Sequence, residues 1–478
     1  MKIKLGHESV RYARIVFDVI RIFLPSLSWQ DLTAGDRQEY ILDFSLSPDK
    51  ITVYLNKQPM VEEKLAAQDE NETKRTMKLA AYRFFTEKLN YEGSPWGILT
   101  GIRPTKIVHR LWDKGIPSQT VTDLLRVKYL VAPDKIEKLI NITLLQRPYL
   151  YPEKTNNTVG IYIGIPFCPT RCSYCSFLSY SLTKWGRYLE VYLQSLAEEI
   201  NVVGAALHQS NTKVQTIYIG GGTPTSLNKK MLAGLLSVVA ENLYMPETIE
   251  FTVEAGRPDT IDDEKLLLMR EFLVDRVSIN PQTMWQPTLD KIGREHSVAD
   301  VVEKVCIARN MGFKVINMDL IIGLPGENYA IMEHTLRAIE NVMPENLTIH
   351  SLALKRASKL KEESADCALP SDAGEMFSLT EKWCREKGYL PYYLYRQKQI
   401  IGNMENVGYC QPGTPCLYNI QMMEERQTIW GLGLGAGSKI VNSDLTLENI
   451  YNPKDLIHYN ENFSGFLKTK VDKILGLS

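Results

Sequence analysis

From residue 159 onward, short apolar runs rich in Val and Ile alternate with longer stretches whose apolar positions recur at helical spacing. The runs are VGIYIGI (159–165), VQTIYIG (214–220), IEFTVEA (249–255), VDRVSIN (274–280), KVINMDLI (314–321) and NLTIHSLAL (346–354). Amphipathic stretches lie between them, near 187–206, 228–243, 262–272, 298–312 and 328–342. Six strands and five intervening helices make a βα series, which demands a parallel sheet joined by right-handed crossovers. An open doubly wound sheet or a barrel satisfies that rule. Six units are too few for the closed eightfold form, so the expected fold is α/β with a partial (β/α)6 barrel. In both architectures chemistry gathers at the carboxyl ends of the strands.

The flanking segments read differently. Residues 1–150 predict an α+β module: an amphipathic helix over 8–24, a hairpin over 40–55 turning at Ser47-Pro48-Asp49, and helices near 73–90 and 105–145. Residues 155–375 hold the barrel, and 376–478 are expected to form a C-terminal α+β domain covering the substrate. That last segment opens with a helix, then an aromatic stretch from Tyr389 to Tyr395 and a Gly-rich stretch from Gly431 to Gly437.

Composition narrows the class. The 478 residues are 44% apolar, with 55 Lys+Arg against 56 Asp+Glu, so no whole-chain field draws the protein to nucleic acid or to an anionic membrane. The apolar stretch from Tyr12 to Leu27 is interrupted by Arg14, Asp18 and Arg21, and the sequence contains no run long and uncharged enough for a spanning helix. A cytoplasmic protein is expected, with neither nucleic acid nor a membrane as partner. Gly101-Ile-Arg-Pro104 followed by Lys106, His109 and Arg110 offers either a basic docking face or, more simply, a solvated helix surface.

Of eight cysteines, three crowd into Cys168-Pro-Thr-Arg-Cys172-Ser-Tyr-Cys175, directly after the first expected strand. Clustered thiols in a reducing compartment suggest metal. Three thiolates at this spacing suit a four-iron cluster with one iron left for another ligand, while a structural zinc site would want a fourth Cys or His nearby. The second strand ends in Gly220-Gly221-Gly222-Thr223-Pro224, where absent side chains admit a ligand to the backbone. The third ends at Glu254, the fourth leads to Gln282 with Arg294 beyond, and the fifth carries Asp319 before Gly323-Leu-Pro325-Gly326. One polar residue at a strand end is ordinary; five strands in register are not.

The C-x3-C-x2-C loop after IYIGIPF resembles the radical S-adenosylmethionine superfamily. Together YIGIPFC, YIGGGTPTSL, VEAGRPDT, VSINPQT, IGREHS, NMDLIIGLPGE and GLGLGAGS are similar to the oxygen-independent coproporphyrinogen III oxidase family. PWGILTGIRPTKIVHRLWDKG and YYLYRQKQIIGNMENVGY look most like its HemZ branch. The resemblance implies a 4Fe-4S cluster on Cys168, Cys172 and Cys175, which act as its metal ligands and catalytic centre, with S-adenosylmethionine on the open iron. It implies that Tyr162 lies beside the cluster, that Tyr174 meets the cofactor through its backbone, and that Gly221, Gly222 and Thr223 hold the methionine end. Glu254, Gln282, Arg294 and Asp319 would take the ribose and neighbouring groups, with Ile321, Ala353 and Gly437 completing the pocket. The activity implied is decarboxylation of the propionates of a tetrapyrrole, coproporphyrinogen III, to vinyls. It needs an electron donor of flavodoxin or ferredoxin type and an electron acceptor.

Two positions depart from the oxidase pattern: Phe177 stands where a fourth cysteine is usual, and Gly164 where His is usual. A sister branch of haem-binding chaperones also lacks the fourth cysteine, but the counterpart here of its His-Asn-x-x-Tyr-Trp motif, Tyr418-Asn-Ile-Gln-Met-Met423, lacks the His, Tyr and Trp; His350 is either a substitute ligand or, more simply, a satisfied core residue ending a buried strand. An RNA-modifying radical enzyme is disfavoured by the balanced charge. Lys355, Arg356 and Arg396 are the candidate cations for meeting propionates or, equally, exposed helix charges. Cys410 and Cys416 flank a turn as ordinary thiols or, alternatively, bind an auxiliary metal.

Overall fold

A computed structural model describes residues 2–34, 40–67, 69–101, 103–150, 157–353, 372–397, 400, 404–461 and 463–477. The chain forms two compact units: Met1–Thr143 with Tyr395–Glu405, and Leu144–Leu394 with Asn406–Ser478.

In the first unit a four-stranded sheet runs in chain order through Ile3–Leu5 (β1), Tyr40–Leu46 (β2), Lys50–Leu55 (β3) and Gln58–Lys64 (β4). β1 is parallel to β2 and the remaining pairs are antiparallel. The expected hairpin is β2–β3, closed by the Ser47 N–H donating to the Lys50 carbonyl at 2.9 Å. Helix α1 (Ala13–Phe23) buries Ala13, Val16, Val19, Ile20 and Phe23, one stripe of helical period. Helix α2 (Glu70–Arg83), capped by Asp69, adds Met77, Ala80 and Ala81 to the same core.

Tyr395–Glu405 belongs to this unit because of one buried carboxylate. Glu405, 1% exposed, accepts from Lys135 Nζ (2.9 Å), Lys138 Nζ (3.0 Å) and Trp96 Nε1 (2.6 Å). Burial pushes its pKa up, but the two lysines outweigh this and hold it at about 2. Arg396 is also buried here, stacked 5.2 Å over the Trp96 ring and donating to the Met404 carbonyl. This corrects the expectation that Arg396 meets propionates, and Lys355 and Arg356 lie outside the described residues. His109 is buried too, so it is no part of an exposed basic face.

In the second unit the expected βα series is present: Thr158–Ile165 (β5), Lys213–Gly221 (β6), Glu250–Glu254 (β7), Arg276–Ser278 (β8), Val315–Ile322 (β9) and Asn346–Ser351 (β10). All five neighbouring pairs are parallel and in chain order. The strands are near-continuous apolar runs because helices cover parallel sheets. Those helices are Leu189–Gln209 (α3), Lys229–Asn242 (α4), Asp263–Glu271 (α5), Val298–Asn310 (α6) and Tyr329–Glu340 (α7). Asn228, Asp262, Ser297 and Asn328 cap the last four, and Ser297 with Asp300 forms a reciprocal capping box.

The C-terminal segment departs from expectation. Instead of forming a separate domain after residue 375, it extends the same sheet at both edges. Asn406–Cys410 pairs antiparallel with β10, and Ile429–Leu432 pairs parallel with β5 as a seventh parallel strand, followed by the antiparallel strands Gly437–Val441 and Leu447–Tyr451. A buried polar knot fixes this edge. Glu199 on α3 accepts from Lys470 Nζ (2.5 Å), Tyr459 Oη (2.6 Å), Gly433 N–H (2.8 Å) and Asn452 Nδ2 (2.9 Å), while Lys470 also donates to the Gly431 carbonyl. No helix among the described residues is long and apolar enough to cross a membrane.

Candidate active site

The carboxyl ends of the parallel strands converge as the βα rule requires. The chain leaves β5 through Gly164-Ile165-Pro166 into the cysteine loop, and turns back so that Phe167–Cys168 pairs with Tyr180–Ser181. Cys172 is buried, while Cys168 and Cys175 are partly exposed. The Gly-rich turn after β6 closes directly on this loop: Gly222 N–H donates to the Ile165 carbonyl and Thr223 N–H to the Phe167 carbonyl, both at 2.8 Å. The Thr223 hydroxyl lies 3.4 Å from Cys168 Sγ. A Cβ on Gly222 would sit 2.5 Å from the Phe167 carbonyl oxygen, so that turn has no room for any side chain.

Two arginines brace the loop. Arg257 Nη1 lies 3.8 Å from Cys172 Sγ and bonds the Thr170 hydroxyl at 2.9 Å, while its other edge is held by Asp259 (3.0 Å). Although burial opposes them, the nearby His296, its Nδ1 3.6 Å away, and bonds from Arg257 keep Asp259 well below the usual carboxylate range. Arg294 donates to the Gly256 carbonyl and the Tyr174 hydroxyl, both at 3.1 Å. Neither Arg257, Asp259 nor His296 was singled out from sequence, although all three stand in the AGRPDT and GREHS motifs; their positions in those motifs were the available signal.

Deeper along the sheet lie two carboxylates with opposite character. Glu254 accepts from the Tyr218 hydroxyl (2.5 Å) and Gly221 N–H (3.3 Å), and burial pushes its pKa up to about 7. Asp319 resists the same burial, because His350, Asn317 and Thr348 stabilise its charge and lower its pKa. Asn280 donates to it at 2.8 Å, and His350 Nε2 stands 3.8 Å away. Gln282 is held at φ 71°, in the left-handed region, with its N–H on the Asp319 carbonyl and its carbonyl on Ile321 N–H. Tyr162 stacks with Tyr218 and Tyr418, the last two centroids being 4.3 Å apart. Ile321 is buried, Ala353 follows β10, and Gly437 packs against Gly431, the register partner of Tyr162.

Comparison with known proteins now bears on this geometry. The Radical SAM superfamily profile matches residues 162–339. The oxygen-independent coproporphyrinogen-III oxidase-like protein HemZ of Bacillus subtilis is 43% identical over 383 residues, which is 79% of this chain and 76% of that protein. The chain belongs to this HemZ-like family of radical SAM proteins. The heme chaperone HemW of Bacillus subtilis is 37% identical over 195 residues, 41% of this chain and 50% of its own. Coproporphyrinogen III oxidase (HemN) from Escherichia coli shares the fold, with a TM-score of 0.53, 23% identity, and coverage of 67% of this chain and 72% of that one.

Membership of the radical SAM family brings a 4Fe-4S cluster and S-adenosylmethionine, and the residues present fit both. Burial pushes the Cys168 thiol up to about 11, and Cys175 rises for the same reason, so these thiols gain charge by binding metal rather than by pH. Among the described residues no three His, Cys, Asp or Glu side chains converge on one metal-ion position. Ligands to separate corners of an iron cube need no such convergence. Asn280 Oδ1 and Arg294 Nε are buried without a bonding partner, which leaves polar capacity for a ligand beside these groups. Cys410 and Cys416 are buried in the second unit, Cys416 directed at Glu250 at 3.3 Å, where Glu250 also caps Leu417–Glu424.

Proposed function

We propose that this chain is a radical SAM enzyme of tetrapyrrole metabolism that converts propionates of coproporphyrinogen III to vinyls without oxygen. The observation that carries the reading is the 43% identity with the HemZ oxidase-like protein over 79% of the chain. Cluster and S-adenosylmethionine together supply one-electron cleavage of a sulfonium and a carbon-centred hydrogen abstraction.

The chain's own residues bind, orient and shield. Cys168, Cys172 and Cys175 hold the metal, with Arg257 countering thiolate charge at Cys172. The backbone of Gly221, Gly222 and Thr223, whose N–H groups are already held by Glu254 and the cysteine loop, receives the methionine end through its carbonyls. Glu254, Gln282, Arg294 and Asp319 take the ribose and neighbouring groups. A Glu254 that titrates near neutrality accepts hydroxyl bonds in either protonation state. Tyr162, Ile321, Ala353 and Gly437 line the remainder and keep water from the reacting carbon.

A second reading is haem carriage on the same fold. Its support is the HemW likeness and Phe177 in place of a fourth cysteine, 70% exposed beside the loop. Anoxic incubation of cluster-loaded protein with dithionite, S-adenosylmethionine and coproporphyrinogen III separates the two. Deoxyadenosine with vinyl product is the expected result. Stoichiometric haem transfer to an apo-acceptor with no deoxyadenosine would overturn it.

A further inference from the structure

We propose that Arg257 and Asp259 form a fixed charge pair that sets the reduction potential of the cluster held by Cys168, Cys172 and Cys175. The inference rests on the cluster assignment and not on the identity of the tetrapyrrole.

The first observation is where the charge sits. Arg257 is 3% exposed, and one edge of its guanidinium meets the cysteine loop: Nη1 donates to the Thr170 hydroxyl at 2.9 Å and lies 3.8 Å from the Sγ of Cys172, the buried thiol of the three. The other edge forks onto Asp259, with Nε 3.2 Å from both carboxylate oxygens and Nη2 3.0 Å from Oδ2. An arginine held in this way on one side presents its remaining donors in a fixed direction. The Asp259 side chain is 16% exposed, against 4% for Arg257, so solvent screens the carboxylate more and the pair does not cancel at the sulfur.

The second is rigidity. The pair stands in the turn after β7, where Gly256 takes φ 40° and donates its N–H to the Ser278 carbonyl at 2.9 Å, and Pro258 opens a short turn to Thr260. The Thr260 hydroxyl donates to the Arg257 carbonyl at 2.8 Å, and Lys265 Nζ donates to the carbonyls of Thr225 and Thr260 at 2.9 and 3.0 Å. The two charges are therefore in place before an electron arrives.

The neighbouring charges leave Arg257 in that role. Arg171 is exposed and screened by solvent, and Arg294 is engaged with the Gly256 carbonyl and the Tyr174 hydroxyl. Burial holds His296, 3.6 Å from Asp259, below its ordinary pKa, so it brings no full charge at pH 8. One electron adds a negative charge to a group already surrounded by three thiolates. A fixed cation at Cys172 favours that reduced form and raises the potential, while Asp259 moderates the cation.

The test is a spectroelectrochemical titration of cluster-loaded full-length protein at pH 8, without tetrapyrrole, alongside iron and sulfide content and the electron paramagnetic resonance signal of the reduced cluster. At the wild-type midpoint, Arg257→Gln is expected to lower the ratio of reduced to oxidised cluster on the order of tenfold, which is about 59 mV for one electron. Arg257→Lys, which keeps the charge, is expected to recover most of that ratio. Asp259→Asn is expected to raise it several-fold, less than the arginine change because the carboxylate is partly screened. Asp263→Asn, in the exposed first turn of α5, removes the same charge and is expected to leave the ratio at the wild-type value. Opposite signs for Arg257→Gln and Asp259→Asn separate a charge effect from a brace, because loosening the loop would move both in one direction. The proposal is overturned if the two shift together, if Arg257→Gln titrates like wild type, or if Asp263→Asn shifts as far as Asp259→Asn. Should Arg257→Gln hold no cluster, a rise in Asp259→Asn supports the proposal and an unchanged or lower ratio overturns it. A missing vinyl product would overturn the decarboxylation reading alone, since the titration does not involve the tetrapyrrole.

Discussion

Two glutamates of the second unit, one fully and one partly buried, show what a carboxylate is for. Glu199 is fully enclosed and saturated, with an ammonium, a phenol, an amide and a backbone N–H all converging on it. Glu254 is held by one phenol and one long backbone contact, with no lysine or arginine paired to it among the described residues. A saturated buried charge is an anchor, here tying the C-terminal helix and the strand Ile429–Leu432 to α3. An under-coordinated one at the carboxyl end of β7 keeps bonding capacity in reserve, which the proposed function assigns to the cofactor.

The contrast is broken most severely at Lys470. Lys470→Met strands the Glu199 charge, and about 3–5 kcal/mol of stability should be lost by denaturant unfolding, as when one partner of a buried pair is removed. A loss below about 1 kcal/mol would show that Glu199 is no anchor. Next is Gly222→Ala, where the new methyl meets the Phe167 backbone. Overpacking of about 1–3 kcal/mol is expected, together with weaker S-adenosylmethionine binding by equilibrium dialysis.

Glu254→Gln sharpens the comparison from the other side. Affinity for S-adenosylmethionine should fall on the order of tenfold, the worth of a hydrogen bond to a charged acceptor. Stability should change with pH in a defined sense. The pKa of Glu254 rises from its ordinary 4.5 to about 7 in the fold, so the Glu254 contribution to stability is full below pH 4.5 and is lost as pH rises through 7. The Gln variant should lack that component of the decline, read as Tm across this window; an unchanged slope would show that Glu254 is already ionised at low pH. Smallest is Ser297→Ala. It removes a capping box at a cost of about 1 kcal/mol and leaves cofactor binding as it was, because the Ser of the IGREHS motif caps α6.

Much of the second unit was legible because each unit of its pattern is local. The apolar run at 159–165 became Thr158–Ile165, and the helical spacing over 298–312 became Val298–Asn310, started by Ser297. The strand Ile429–Leu432 escaped notice for the opposite reason: four residues inside a Gly-rich stretch carry no periodicity of their own, and only pairing with β5 makes them a strand. Arg396 misled because a cation near aromatics reads the same whether it faces a ligand or stacks on Trp96. His109 misled likewise, since helix position alone does not show which face is covered.

By itself the sequence determined the βα order, the cysteine loop after the first strand and the glycines that face it, because spacing, chirality and backbone sterics are properties of neighbouring residues. Tertiary structure alone decided which buried charges are satisfied. Whether a carboxylate finds four donors, as Glu199 does, or keeps room for another, as Glu254 does, depends on residues hundreds of positions apart meeting in a medium too dry to replace a missing partner.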